Sequence, residues 1–412
     1  MTEHGFNSGG RLMEDVFVEF FSDEALENVM TLLAYKPSKI IFLGHKYLMI
    51  TKKIKSLTRF AGRISPETRL EFIEVPRDDL DSIIKTLTKI CDDHPDARFE
   101  LTGGSELILM AFGYISATRN LHNLRIDPFS NFELEMNAGN VSKKYNKLQM
   151  TVEDDIVLHG GSLANETGSF STWRFTDEFL ADIRSIWKCA AGLKHKWNLY
   201  SSTIENCIKR FPGDDRGLYR IPKNVLGSSV ELFRIMDDIN MVRDYRETGK
   251  SVSFHFKNDM IKNILTKTGN ILELHVYEVA TRSVTFTDAI IGAVIDWGGE
   301  SENNVPYQHG GAPDTINEID VILMRGLIPT FISCKSGKAS SLALHELQTV
   351  THRFGGNYAK KALVLANPCD VSSSGSSFFK QRAKEMHIWV IDNVYNMTDE
   401  ELLSRLNRIQ NP

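Results

Sequence analysis

Over the first 120 residues, short apolar runs alternate with segments of helical period. "DVFVEFF" (residues 15–21), "SKIIFLGH" (38–45) and "RLEFIEV" (69–75) are too short for helices and rich in β-formers, so they predict strands. "ALENVMTLLAY" has helical spacing, with Ser22 and Asp23 offering an N-cap, and so does "DLDSIIKTLTKICDD" (79–93). "RFELTGGSELILMAFGYISA" (98–117) reads as strand, glycine turn and helix. Strands and helices in alternation predict a parallel, doubly wound sheet, whose ligands bind beyond the carboxyl ends of the strands. Two such ends are polar: Ser22-Asp23, and Thr102-Gly103-Gly104-Ser105.

Between about residues 150 and 258 the pattern weakens. "LHGGSLANETGSFST" (158–172) is a polar linker, and "DEFLADIRSIWKCAAGLKHKWNLY" is helical. "SSTIENCIKRF" follows it, with Ser201 or Ser202 as a cap. "GSSVELFRIMDDINMVRDYRETG" (227–249) predicts one helix, and "SVSFHF" (251–256) a strand. Such a segment can be read as winged-helix-like, touching nucleic acid or a neighbouring subunit, or as packing between domains.

The last third is richer. "NDMIKNILTKTGNILELHVYEVA" (258–280) predicts one or two helices carrying Glu273. "DAIIGAVIDW" (288–297) is a strand, a polar loop follows, and "EIDVILMRGLIPTFISCKSG" (318–337) is a hairpin. Side chains alternate faces along a strand, so Ser333 and Lys335 point the same way, as do Glu318 and Asp320. The hairpin could therefore aim Asp320, Ser333 and Lys335 at one point, with Glu273 supplied from the preceding helix. An amphipathic helix (340–356) and strands at "AKKALVLAN" and "HIWVIDN" complete a small mixed sheet.

Composition narrows the field. The 412 residues suggest two or three domains, and 42% hydrophobic with 25% charged residues is ordinary for a globular protein. A net charge of −5 argues against a broadly basic coat for nucleic acid, although Lys335, Lys338, Arg353, Lys360 and Lys361 could form a local basic path. Cys91, Cys189, Cys207, Cys334 and Cys369 include no CxxC pair, which fits reduced thiols rather than disulfides or a zinc site. The amino terminus lacks the apolar core of a signal peptide, and no apolar run is long enough to span a bilayer. A cytoplasmic location is expected.

The chemistry of the candidate residues then matters. Phosphodiester hydrolysis at neutral pH calls for hard oxygen ligands around Mg²⁺ or Mn²⁺, and a lysine can steady the developing charge. In the Thr102–Ser105 turn, two glycines let backbone amides approach a ligand at a helix start. The same glycines also suit a turn that needs them for shape alone. The turn is neither a P-loop, for want of the lysine, nor a dinucleotide fingerprint.

A helix Glu, a strand Asp and a strand ending x-x-Lys resemble the PD-(D/E)xK nuclease core. "GNILE", "NEIDV", "FISCKSG" and "LQTVTHRFGGNYAKKALVL", after an α/β domain with "LTGGS", resemble the CRISPR ancillary nucleases, in which a CARF sensor is fused to such a nuclease. The resemblance implies an α/β fold in three parts. These are a Rossmann-like CARF domain at 1–150, a connecting helical segment at 151–258, and a restriction-endonuclease-like domain at 259–412. It implies cyclic tetra-adenylate as activator, a homodimer, and Mn²⁺- or Mg²⁺-dependent cleavage of single-stranded RNA and DNA with nicking of supercoiled DNA. Ser22, Asp23, Thr102, Gly103, Gly104 and Ser105 would line the sensor site. Glu273 and Asp320 would bind metal and Lys335 would assist catalysis. Ser333 departs from the pattern, which has an acid there; the Cys334 carbonyl, Glu318, Asp296 or Glu346 could make up the lost ligand. Two rivals remain: a ligand-regulated nucleic-acid binder, and a nuclease that needs no second messenger.

Overall fold

A computed structural model of the protein describes residues 15–137, 140–164, 170, 173–298, 316–369 and 374–410. The amino-terminal 14 residues, much of the linker at 158–172 and most of the polar loop before the hairpin lie outside the described residues. The chain divides into two compact units, one of residues 1–149 with 157–160, the other of 150–156 with 161–412.

The first unit runs β1 (Val16–Phe20), α1 (Met30–Tyr35), β2 (Lys39–His45), α2 (Thr51–Ile64), β3 (Arg69–Val75), α3 (Leu80–Asp93), β4 (Arg98–Glu100), α4 (Glu106–Ser116), β5 (His122–Asp127), β6 (Phe132–Asn137) and β7 (Asn140–Tyr145). The sheet order is β3-β2-β1-β4-β5-β6-β7. The first five strands are parallel, as the alternation predicts, and β6 and β7 extend the sheet as an antiparallel meander. β1 is buried at every position, because helices cover both faces of a parallel sheet. The Asp79 carboxylate caps α3 by accepting the Ser82 N–H at 3.0 Å, but Ser22 and Asp23 do not cap the segment after β1, which opens as a 3₁₀ turn.

The second unit begins with α5 (Val152–Leu158), which the unit boundary crosses, and β8 (Ser162–Ala164). α6 (Asp177–Leu193) and α7 (His195–Arg210) follow. The break between them falls at Lys194, whose φ is +52°, while Ser201 and Ser202 lie inside α7. Next come β9 (Tyr219–Pro222), α8 (Lys223–Leu226), α9 (Val230–Asp238), β10 (Val242–Glu247) and β11 (Ser251–Phe256). The single helix expected over 227–249 is thus a helix and a strand: Asn240 takes a φ of +60°, and "VRDYRE" then pairs with β11. Helix α7, strand, two helices and two strands with sheet order β10-β11-β9 make a winged-helix topology. Its third helix, α9, exposes Glu231, Asp237 and Asp238, and its Arg234 is paired with Glu247, so that face is unfavourable to phosphate.

α10 (Asp259–Thr266) and α11 (Asn270–Thr281) precede β12 (Asp288–Asp296), β13 (Ile316–Arg325), β14 (Ile328–Lys335), α12 (Ser341–Gly355), β15 (Lys360–Leu365), α13 (Ser374–Glu385), β16 (Ile388–Ile391) and α14 (Asp399–Gln410). The sheet order is β16-β15-β14-β13-β12-β8, parallel from β14 to β16 and antiparallel across the remainder. One core joins this sheet to the winged-helix segment: Ile183, Trp187, Phe233 and Phe254 pack in the same cluster as Leu274, Val321, Ile332 and Val364. The Trp187 ring stacks on His275 of α11 at 3.9 Å, and Arg184 of α6 pairs with the buried Glu278 of α11 at 2.6 Å. α6 therefore holds the helix that carries Glu273. All five cysteines are free. No helix of the described residues is long and apolar enough to cross a membrane.

Candidate functional site

In the first unit the order 3-2-1-4-5 reverses direction between β1 and β4, which is where doubly wound sheets open a crevice beyond their carboxyl ends. Ser22 and Asp23 follow β1, and Thr102 to Ser105 follow β4, so both polar stretches meet at that crevice. A Cβ added at Gly103 would lie 2.9 Å from the Phe20 carbonyl oxygen and 3.0 Å from the Ser22 Cβ. Gly104 has a φ of +105°, and a Cβ there would strike the Phe20 Cβ at 2.6 Å. Packing alone thus requires both glycines, and they do not by themselves argue for a ligand. The polar groups around them do more. Ser22 donates from its hydroxyl to Glu27 at 2.6 Å, Asp23 pairs with Lys53, and Ser105 caps α4 through the Ile108 N–H at 3.4 Å.

The spacing of motifs did not single out three residues at this edge. His45, at the end of β2, bonds the Ser105 hydroxyl at 2.7 Å, stacks on the exposed Tyr47 ring, and Arg77 lies 5.2 Å from that ring. Their position beyond a carboxyl strand end was the available signal. An aromatic face, an imidazole and a guanidinium suit a nucleobase and a phosphate.

Beneath the turn sit two buried carboxyl groups, Glu19 on β1 and Glu100 on β4, neighbours in register. Burial and their mutual repulsion push Glu19 well up, and burial pushes Glu100 up, against the hydrogen bonds from Thr31 and Thr102. Thr102 donates its N–H to Glu100 at 3.0 Å, so the pair holds the turn. A carboxyl whose folded pKa is raised stays protonated in the fold after the unfolded chain has lost its proton. Stability is then highest below the ordinary carboxylate range and falls as pH rises towards neutrality. Chemical denaturation of the full chain is expected to show a loss on the order of 2–4 kcal/mol between about pH 5 and pH 8. Glu19→Gln should reduce that slope, and an unchanged slope would remove the pair as its cause.

In the second unit the hairpin converges on one carboxylate. The β13–β14 register sets Ser333 beside Asp320. Asp320 Oδ2 accepts the Ser333 hydroxyl at 3.2 Å and the Cys334 N–H at 2.5 Å, with Lys335 Nζ 3.7 Å away. An acid at position 333 would face Asp320 directly across the ladder, an unfavourable like-charge pair; serine donates to it instead. On the other side Gly292 of β12 falls opposite Asp320 with a φ of +58°, where any side chain would be strained. Glu273, in the first turn of α11, completes the group. Burial pushes its carboxyl well up, with Asp320 and then Glu318 adding repulsion and Lys335 opposing them. The Cys334 thiol is buried in the core and pushed up by burial, so any ligation by this residue falls to its carbonyl.

Two partly buried carboxylates, a hydroxyl and a lysine fit a hard cation that keeps several waters and shares its shell with a phosphate. Among the described residues no group of three or more His, Cys, Asp or Glu side chains is placed to hold a metal alone. Of the expected substitutes for an acid at 333, Glu318 stands near Glu273. Asp296 is buried at the end of β12, where it accepts the Gly298 N–H at 2.8 Å. The five-cation path divides. Parallel pairing sets Lys361 opposite Phe331, and Lys335 opposite Leu365, so the two ends lie roughly 13–17 Å apart along the strands.

No family model and no curated protein matches the chain. Solved structures do. Protein VC1899 from Vibrio cholerae has a TM-score of 0.73 at 14% identity, over 96% of this chain and 97% of that one. Can2 from Sulfobacillus thermosulfidooxidans, solved in complex with cyclic tetra-adenylate, has a TM-score of 0.67 at 16% identity, over 97% and 98%. At these identities the likeness speaks for the α/β fold.

Proposed function

We propose that this protein is a nuclease of type III CRISPR antiviral defence, switched on by cyclic tetra-adenylate bound in a CARF domain. Its substrates would be single-stranded RNA and DNA and supercoiled DNA, with Mn²⁺ or Mg²⁺ as cofactor. The observation that carries this reading is the convergence of Ser333, the Cys334 amide and Lys335 on Asp320, with the Glu273 carboxyl beside them. The fold shared with Can2, itself solved with cyclic tetra-adenylate, supports the choice of activator.

Asp320, Glu273 and the Cys334 carbonyl would hold the cation, which when bound polarises water and offsets phosphate charge. The Ser333 hydroxyl and the Cys334 amide fix the rotamer of Asp320. Lys335 is placed to meet charge growing on the scissile phosphate. Burial, Asp320 and Glu318 push the Glu273 carboxyl up, and a bound cation would favour its anion. In the first unit, Ser22, Thr102 and the amides of Gly103 to Ser105 would contact the activator. A cyclic tetranucleotide has two-fold symmetry, and two crevices across an isologous homodimer interface would match it. α4 leaves Met110 and Tyr114 61% and 67% exposed, an apolar face suited to such an interface.

The lack of a three-residue metal cluster among the described residues favours a second reading, a ligand-regulated nucleic-acid binder. One assay separates them: cleavage of labelled single-stranded RNA, single-stranded DNA and supercoiled plasmid with Mn²⁺, with and without cyclic tetra-adenylate. Cleavage only with the activator supports the gated nuclease. Cleavage without it supports an ungated one, and activator binding with no cleavage supports the binder.

A further inference from the structure

Directly after Lys335 the chain enters the wall of a cleft of about 1010 Å³ in the second unit. Its walls come from the amino-terminal end of α7, the loop Ser336–Ser340, the residues after β15, and α13. Small-molecule pockets run to roughly 300–1,000 Å³, so this one has room for more than a mononucleotide. The loop is anchored: the Ser336 carbonyl accepts the side-chain amides of Asn198 and Asn367, each at 2.9 Å. The cleft is therefore fixed in place relative to the hairpin.

Three side chains in it are unexplained by packing. Phe378 lies on the wall with 75% of its surface exposed. Lys338 and Arg382 are exposed on the same walls, and among the described residues neither side chain has an ion-pair partner. The one acid among the described lining residues, Glu385, is engaged by Gln381 at 2.9 Å. An open aromatic face and two cations on the walls of one cleft are the combination that binds unpaired bases and the phosphates flanking them. In a duplex the bases stack on one another and offer no face to a ring.

Resting on the nuclease reading above, we propose that this cleft carries the single strand that leaves the Asp320–Lys335 hairpin. Phe378 stacks a base, and Lys338 and Arg382 hold the adjoining phosphates. The winged-helix segment contributes through α7, not through its acidic third helix.

The test measures binding of a labelled single-stranded oligonucleotide to the full chain with cyclic tetra-adenylate, by fluorescence anisotropy, together with cleavage kinetics. Phe378→Ala should weaken binding about tenfold, and Phe378→Trp should restore it. Lys338→Ala should lower the slope of log affinity against log salt by about one. Where cleavage occurs, the Phe378→Ala loss should appear in KM with kcat little changed. Phe378 is exposed, so its replacement does not disturb the core. Wild-type affinity and salt slope in both variants would overturn the cleft while leaving the nuclease standing. The binding losses without any cleavage would retain the cleft as a nucleic-acid channel and overturn the nuclease.

Discussion

Lys335→Ala is expected to lower activator-dependent cleavage by about 10²- to 10⁴-fold while leaving cyclic tetra-adenylate binding unchanged. The expectation follows from where the ammonium stands. It ends β14 within 3.7 Å of Asp320, which already receives the Ser333 hydroxyl and the Cys334 amide, so the lysine brings a positive charge to that carboxylate. Truncation removes the group proposed to meet the scissile phosphate, and with it one of the two cations, Lys335 and Lys267, that oppose the upward push on Glu273 from burial, Asp320 and Glu318. Cleavage rates under saturating activator read the loss, and calorimetric titration with cyclic tetra-adenylate reads the retained binding. Unaltered turnover would show that the hairpin is not the reacting centre.

Gly103→Val is expected to have the next largest effect, bringing cleavage down to the level seen without activator, about 5- to 150-fold. Gly103 lies where β1 and β4 end side by side, and even a methyl group would approach the Phe20 carbonyl and the Ser22 Cβ to about 3 Å. A branched side chain would push the Thr102–Ser105 turn outward and fill the crevice between the strand ends. The hairpin belongs to the other unit, so the variant separates sensing from chemistry. The measurement is an activator titration of cleavage, paired with direct binding. Full activation in the variant would place the activator elsewhere.

How much of this was legible beforehand depended on range. Elements with their own period were readable, such as β1, β2, β3, α3 and the β13–β14 hairpin. So was the meeting of Asp320, Ser333 and Lys335, because strand alternation and a tight turn dictate it. Helix ends were less so. "MDDINMVRDYRE" carries helical and alternating periods together, and only the left-handed Asn240 with pairing to β11 decides for a strand after α9. Long-range register was not readable at all. The parallel pairing of β14 with β15 divides what local sequence presents as one basic run, and it needs partners about thirty residues apart. His45, Tyr47 and Arg77 were hidden for the same reason: the ends of β2 and β3 must assemble before they face one another.

The shared core of the second unit bears on how such proteins diversify. Recombination joins halves without damage where few buried side chains lose their partners. Around Met150 the chain passes from one compact unit to the other and returns at 157–160, so an exchange of the first unit must carry that short segment with it. A crossover between about residues 180 and 256 would instead part Trp187 from His275 and Arg184 from Glu278, and strip apolar cover from α11. Lineages that exchange effectors should therefore inherit the winged-helix segment with the hairpin as one block.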